Sequence, residues 1–239
     1  MLSELKKLIP RTVRQGLAER NAPRIHARVA YSQEGEDLLL ARLFEGDPAG
    51  IYVDVGAHHP FRFSNTCLLH KRGWRGINLD ALPGSMRLFR RFRPDDVNLE
   101  LGVSEQPGQL EFFVFAEPAL NTFDAALAGS RRAEGWAFVG KTVVECLPLA
   151  TIIDRHLPQL QSSKVDLLTI DAEGLDLQVL RSNDWDRYQP RVIVVEILGG
   201  DLSEMMRSDT VTFLAGVGYS PSARLYNSVV FLPRASSQS

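Results

Sequence analysis

The sequence predicts an α/β domain, with a mainly parallel sheet covered on both faces by helices. Apolar runs of strand length alternate with helix-like segments over most of the 239 residues. Residues 51–81 read as one strand–helix–strand unit with a tight Gly56-Ala57 turn after the first strand. Asp54, Asp80, Asp171 and Glu196 fall at or near predicted strand C-terminal ends. In open sheets of this class ligands bind outside those ends, at the point where strand order reverses.

Composition narrows the class. A hydrophobic content of 44% and a net charge of −2 exclude a disordered chain and a global field directed at nucleic acid. Apolar runs are too short for a membrane-spanning helix, and residues 1–10 lack the apolar core of a signal peptide. Cys67 and Cys146 form no CxxC pair, which predicts reduced thiols and a cytoplasmic protein.

Three regions are expected: a helical lead-in (1–30), the main domain (31–234) and a frayed tail (235–239). Leu2, Leu5, Ile9, Val13 and Leu17 recur near helical spacing in the lead-in, interrupted by Pro10. Its five arginines suit peripheral contact with anionic lipid or a partner, or the solvated face of a helix packed on its own domain. Ser32 is the expected N-cap of a helix with Leu38, Leu39, Leu43 and Phe44 on one stripe, stopped at Gly46. The dense polar cluster before it, with Gln33, Glu34, Glu36 and Asp37, suits capping or a ligand site.

A buried strand at 51–55 leads to a crossover helix over 65–71, capped by Ser64 and ended by Gly73. A strand at 76–79 and a helix over 83–92 follow, with Pro83 at the helix start. Arg87, Arg90, Arg91 and Arg93 read as its solvated face. Strands are expected at 97–103, 110–115 and 142–147, with a turn-rich lid or substrate wall over 117–136. Further strands are expected at 165–170 and 191–197, and helices at 151–156, 175–180 and 209–216. Residues 222–226 and 228–232 close the domain as an antiparallel pair.

Asp80 lies about 20 residues past the glycine turn, where an acid suits ribose hydroxyls. The glycines that let a backbone approach a pyrophosphate are missing, because Ala57, His58, His59 and Pro60 follow Gly56. A nucleoside without phosphates fits this turn, and S-adenosylmethionine is such a ligand. The expected donor-side residues are Gln33, Asp54, Gly56, Ala57, Asp80, Ala81 and Asp171, with Asp54 facing the cationic amino-acid end.

At these residues the chain resembles the FkbM family of S-adenosylmethionine-dependent methyltransferases. The resemblance rests on YSQEGED (31–37), YVDVGAHHPFRFSNT (52–66), GWRGINLDALPGSM (73–86), VNLELGVSE (97–105), EPALNTFD (117–124), LLTIDAEGLDLQVL (167–180) and the Glu196 strand. It implies a Rossmann-like class I methyltransferase with a mainly parallel seven-stranded sheet. It also implies O-methylation, most often of a sugar hydroxyl in a glycan, glycolipid or natural product. A nucleic-acid or protein acceptor is less well matched, since the chain has neither an Asn-Pro-Pro-aromatic tetrad nor a basic excess. A non-catalytic binding subunit is the remaining alternative.

The donor is already activated, so positioning does much of the work. A sugar hydroxyl has a high pKa and needs a base or a metal. His58 and His59 are candidate bases, or they hold the loop by hydrogen bonds. Asp171 and Glu173 are candidates to orient a histidine, accept the proton or ligate an ion, and Glu173 also suits a helix N-terminus. Mg²⁺ or Mn²⁺ would be held by Asp171, Glu196 and a histidine. Arg62, Asn65, Asn121 and Trp136 are candidate substrate contacts. Against these stand a surface ion pair for Arg62, a turn role for Asn121 and packing for Trp136.

Overall fold

The computed structural model describes residues 27–234. The helix expected within residues 2–17, the basic lead-in contact and the tail lie outside them. Seven strands form the main sheet in the order β3-β2-β1-β7-β8-β10-β9. They are β1 Ile51–Val55, β2 Arg75–Asp80, β3 Val97–Glu100, β7 Leu167–Ile170, β8 Val192–Glu196, β9 Tyr219–Arg224 and β10 Ser228–Pro233. The first five pair in parallel, and β10 runs antiparallel to both β8 and β9. The predicted mainly parallel sheet with a C-terminal antiparallel pair is therefore what the chain forms. The order reverses between β1 and β7, so a crevice opens at their C-terminal ends.

Strand alternation sorts the side chains. Val53, Val55, Ile77, Leu168, Ile170, Ile193 and Val195 face one side and pack with Ile152, Ile153, Val179, Leu180 and Leu214 of the helices there. Tyr52, Leu167, Val192 and Val194 face the other side, against Leu40, Phe44, Leu69 and Trp74. Each such side chain, fully buried, contributes about 1.5–3 kcal/mol before chain entropy is subtracted. Asp54 shares the parity of Tyr52. Its carboxyl therefore turns under the second layer, where Thr66 Oγ1 donates to Oδ2 at 2.7 Å.

Several expectations need correction. The first helix, Glu36–Leu43, is capped by Gly35 in a left-handed conformation. Ser32 Oγ still accepts from the backbone N–H of Gly35 at 3.1 Å and Asp37 at 3.2 Å. Ser64 does not cap the crossover helix, which spans Cys67–Lys71 after Thr66. The helix expected from Pro83 begins later, at Met86–Phe92. The single strand expected over 97–103 is split, because Gly102–Val103 joins β5 Gly108–Phe115 and β6 Phe138–Leu147 in a separate three-stranded sheet. The segment expected as a loop holds a 3-10 turn, Pro118–Leu120, and a helix, Ala125–Ala133, capped by Asp124 Oδ1 on the N–H groups of Ala126 and Leu127. A short helix at Leu202–Met206 had no apolar period long enough to announce it. Arg93 is not solvated: it is 1% exposed.

Candidate functional site

A cavity of about 710 Å³ opens at the reversal point. Its floor is made of strand ends. Gly56 follows β1, Asp80 ends β2, Asp171 follows β7 and Glu196 ends β8. The three-stranded sheet and the 117–136 segment supply the opposite wall, including Glu117, Asn121, Arg131 and Trp136. Gln33, His58, His59, Arg62, Ala81 and Glu173 complete the expected residues that line it. Asp54, Ala57 and Asn65 do not. Ala57 packs with Met86 and Phe89, and Asn65 Nδ2 donates to Thr169 Oγ1 at 2.9 Å.

The Gly56 turn is the tightest point of the floor. Its φ is 82°, and a Cβ there would lie 1.8 Å from the carbonyl oxygen of Asp171. Only glycine lets the two strand ends come this close. Beside it, Asp80 Oδ1 accepts from Leu82 N at 2.8 Å and Oδ2 from His58 N at 3.1 Å. One backbone bond per oxygen fixes the carboxylate and leaves each oxygen a lone pair for a ligand. Burial pushes the Asp80 carboxyl up to about 6 against these stabilising bonds, and burial pushes Asp54 to about 6 as well.

Acids crowd the far side of the floor. Burial, then the charges of Glu196, Glu173, Asp176 and Asp54, holds Asp171 well above the usual carboxylate range. Burial and the charges of Glu173, Asp176 and Glu34 push Glu196 up to about 8. Among the described residues Arg131 answers them: its Nη2 meets Glu173 Oε2 at 2.5 Å, and its Nη1 donates to Leu120 O at 2.7 Å. This excess of carboxyl groups suits a cationic ligand. It does not assemble the expected metal set: among the described residues no three His, Cys, Asp or Glu side chains are placed to share an ion. The residues present therefore do not fit the Asp171–Glu196–histidine site.

Glu196 makes a pH prediction. Its folded pKa is raised, so its contribution to stability is complete below about 4.5 and is lost as pH rises through about 8. Glu196→Gln removes that loss. Melting temperatures of the variant and wild type should diverge in the variant's favour between about pH 5 and pH 8. Parallel curves would show that Glu196 ionises normally.

The two histidines differ. His59 Nδ1 accepts from the backbone N–H of Phe61 at 3.1 Å and of Arg62 at 3.0 Å. In the neutral ring its proton then sits on Nε2, so neither nitrogen offers a free lone pair and His59 holds the loop. His58 Nε2 lies 3.4 Å from Arg62 Nη1, a group that only donates, so this nitrogen presents a lone pair. Burial, then Arg62 and His59, lowers the His58 pKa and keeps the ring neutral. Arg62 also pairs with Glu117 at 3.0 Å, across the cavity.

On the opposite wall, Thr122 Oγ1 donates to Glu173 O at 2.6 Å, and Asn121 Oδ1 accepts from Phe115 N at 2.8 Å, as turn roles require. Trp136 is 49% exposed and lines the cavity. Sequence reading missed Arg131 and Asp176. Asp176 had a local signal, an acid two residues past a glycine, and it accepts from Ala172 N and Gly174 N. Arg131 had none, since its partner lies 42 residues away.

Comparison with known proteins adds two findings. Residues 54–221 match the family described as the methyltransferase FkbM domain. A crystal structure of a candidate O-methyltransferase from Klebsiella pneumoniae is similar at 14% identity, covering 98% of this chain and 95% of that one, with a TM-score of 0.40. No curated protein matches.

Proposed function

The chain belongs to the FkbM methyltransferase family, and from that premise we propose that its cavity binds S-adenosylmethionine and that the protein methylates a hydroxyl of a saccharide. The observation that carries the donor half is Asp80, a backbone-held carboxylate at the end of β2 that lines the cavity. The donor set fits this ligand in three respects. Asp80 accepts from ribose hydroxyls. Leu79, Leu101 and Val103 offer apolar walls for an adenine. Asp171 and Glu196, held protonated in the floor by burial and neighbouring acids, ionise when the positive sulfonium and ammonium ends sit beside them. The Gly56 turn lacks the glycines a pyrophosphate would need.

Bound there, S-adenosylmethionine supplies an activated methyl group on a positively charged sulfur. The chain's own part is orientation and proton removal. The acceptor hydroxyl displaces the 3.4 Å Arg62 contact at His58 Nε2 and gives its proton to that nitrogen, which burial and the charge of Arg62 keep unprotonated beforehand. Glu173, held by Arg131, anchors the wall against which the acceptor lies. Trp136 offers an exposed indole face for a sugar ring, which supports a saccharide acceptor.

Calorimetry with S-adenosylmethionine, followed by a labelled-methyl screen of glycans and nucleotide sugars, tests the proposal. Absence of binding would leave a fold without the donor. Transfer to protein or nucleic acid but to no saccharide would overturn the acceptor. Within an active preparation, His58→Ala should lower kcat by about 100- to 1000-fold with the donor Kd unchanged. His59→Ala should instead loosen the loop and raise the acceptor KM. Equal, small effects on kcat would remove His58 as the base.

A further inference from the structure

We infer that Arg93 is a positioning residue: its buried guanidinium holds the 58–64 loop so that His58 and Arg62 face the cavity. This role rests on reading that cavity as the methyltransferase site. Arg93 terminates the helix Met86–Phe92 and is 1% exposed. A buried guanidinium costs several kcal/mol unless it is compensated. Among the described residues no carboxylate lies within ion-pair distance of it. Its compensation comes from neutral acceptors.

Nη2 donates to Pro60 O at 2.6 Å and to Ser64 Oγ at 2.9 Å. Nη1 donates to Thr66 Oγ1 at 2.8 Å, with Tyr52 OH and Asn78 Oδ1 farther away at 3.4 Å each. Negative charge reaches the guanidinium at one remove. Thr66 Oγ1 donates a hydrogen bond to Asp54 Oδ2 at 2.7 Å, and Tyr52 donates to Asp96.

The shorter bonds show what the charge is for. Two go to Pro60, which directly follows His58 and His59, and to Ser64, so that they bracket Arg62. This loop needs an external hold. His58 and Phe63 both adopt left-handed backbone angles, with φ of 53° and 56°. Each costs about 1 kcal/mol or more for a residue with a side chain. Sheet residues Tyr52 and Asn78 and the Asp54–Thr66 pair form the rigid base, and Arg93 ties the strained loop to it. A packed apolar side chain would fill the same volume but make no bond to a loop carbonyl.

The test is Arg93→Met, which keeps the volume and removes the donors. Amide hydrogen exchange over 58–64 should quicken by about 10-fold or more, with β1 and β7 unchanged. In the same variant kcat should fall about 100-fold, while the donor Kd moves less than about threefold because Asp80 still holds the nucleoside. Wild-type exchange in the loop of the folded variant would overturn the inference. So would faster exchange spread evenly over the domain, which marks a merely structural role. If Arg93→Met does not fold, Ser64→Ala decides. It leaves Nη2 bonded to Pro60 O and should still speed exchange over 60–64, and unchanged exchange there overturns the role. Exchange needs no activity, so a wild type that transfers no methyl group would sink the proposed function while this arm still returned its own answer.

Discussion

Asp80→Ala is expected to raise the Kd for S-adenosylmethionine by about 100-fold or more, since hydrogen bonds to a charged group are worth about 1.5–3 kcal/mol each. The proposed site gives Asp80 two ribose hydroxyls to bind. Its geometry is set in advance by the N–H groups of Leu82 and His58. Those two donors lose their acceptor in the alanine variant, so the floor of the cavity also loosens near His58. Asp80→Asn keeps one oxygen and should fall between wild type and alanine. Calorimetry on variants shown to melt cooperatively is the measurement. An alanine variant within threefold of wild type would remove Asp80 from the nucleoside site. The raised Asp80 pKa adds a sign: below about 6 the carboxyl takes up a proton and loses its charge, so donor affinity should weaken as pH falls through that value.

Gly56→Ala should destabilise the fold by about 2–5 kcal/mol, combining a positive φ at about 1–2 with overpacking at about 1–3. The added Cβ would meet Asp171 O at 1.8 Å and Asp171 C at 2.8 Å, both backbone atoms. Neither strand end can step aside easily. Asp171 N is bonded to Val55 O at 2.9 Å, and Gly56 N and Ala57 N both donate to Leu79 O at 2.9 Å. Relief of the clash must therefore break bonds linking β1 to β2 or β7. A loss of this size is a large part of a domain's total stability. Urea unfolding reads it directly, and donor binding should vanish with it because Asp171 is displaced. A midpoint equal to that of wild type would show that the turn is looser than the contact implies.

Much of this architecture was legible because the main sheet is buried on both faces. Parallel strands covered by helices become short apolar runs, and runs such as 51–55 and 191–197 mark their elements closely. The second sheet was harder to see. Its strands Gly108–Phe115 and Phe138–Leu147 are half exposed, and 22 residues separate them, so no turn signal joined them. Leu101 also interrupts what reads as one strand, and only pairing to β6 reveals that the chain has changed sheets there.

The same division runs through the site. The sequence by itself determined which acids end the strands and which glycine allows the turn, because strand period and local backbone sterics are properties of short stretches. It also placed the histidines in the loop after the first strand. Only the tertiary structure decided what those groups do. Asp54 turned inward by strand parity, toward Thr66. His59 spent its lone pair on two backbone bonds of its own loop, while the His58 Nε2 lone pair meets only the longer 3.4 Å contact of Arg62. Arg93 left the expected solvated face to hold Pro60 and Ser64, and Arg131 arrived from 42 residues away to meet Glu173. A side chain's charge and hydrogen-bond partners depend on burial and on neighbours remote in the chain, and these exist only once the layers have packed.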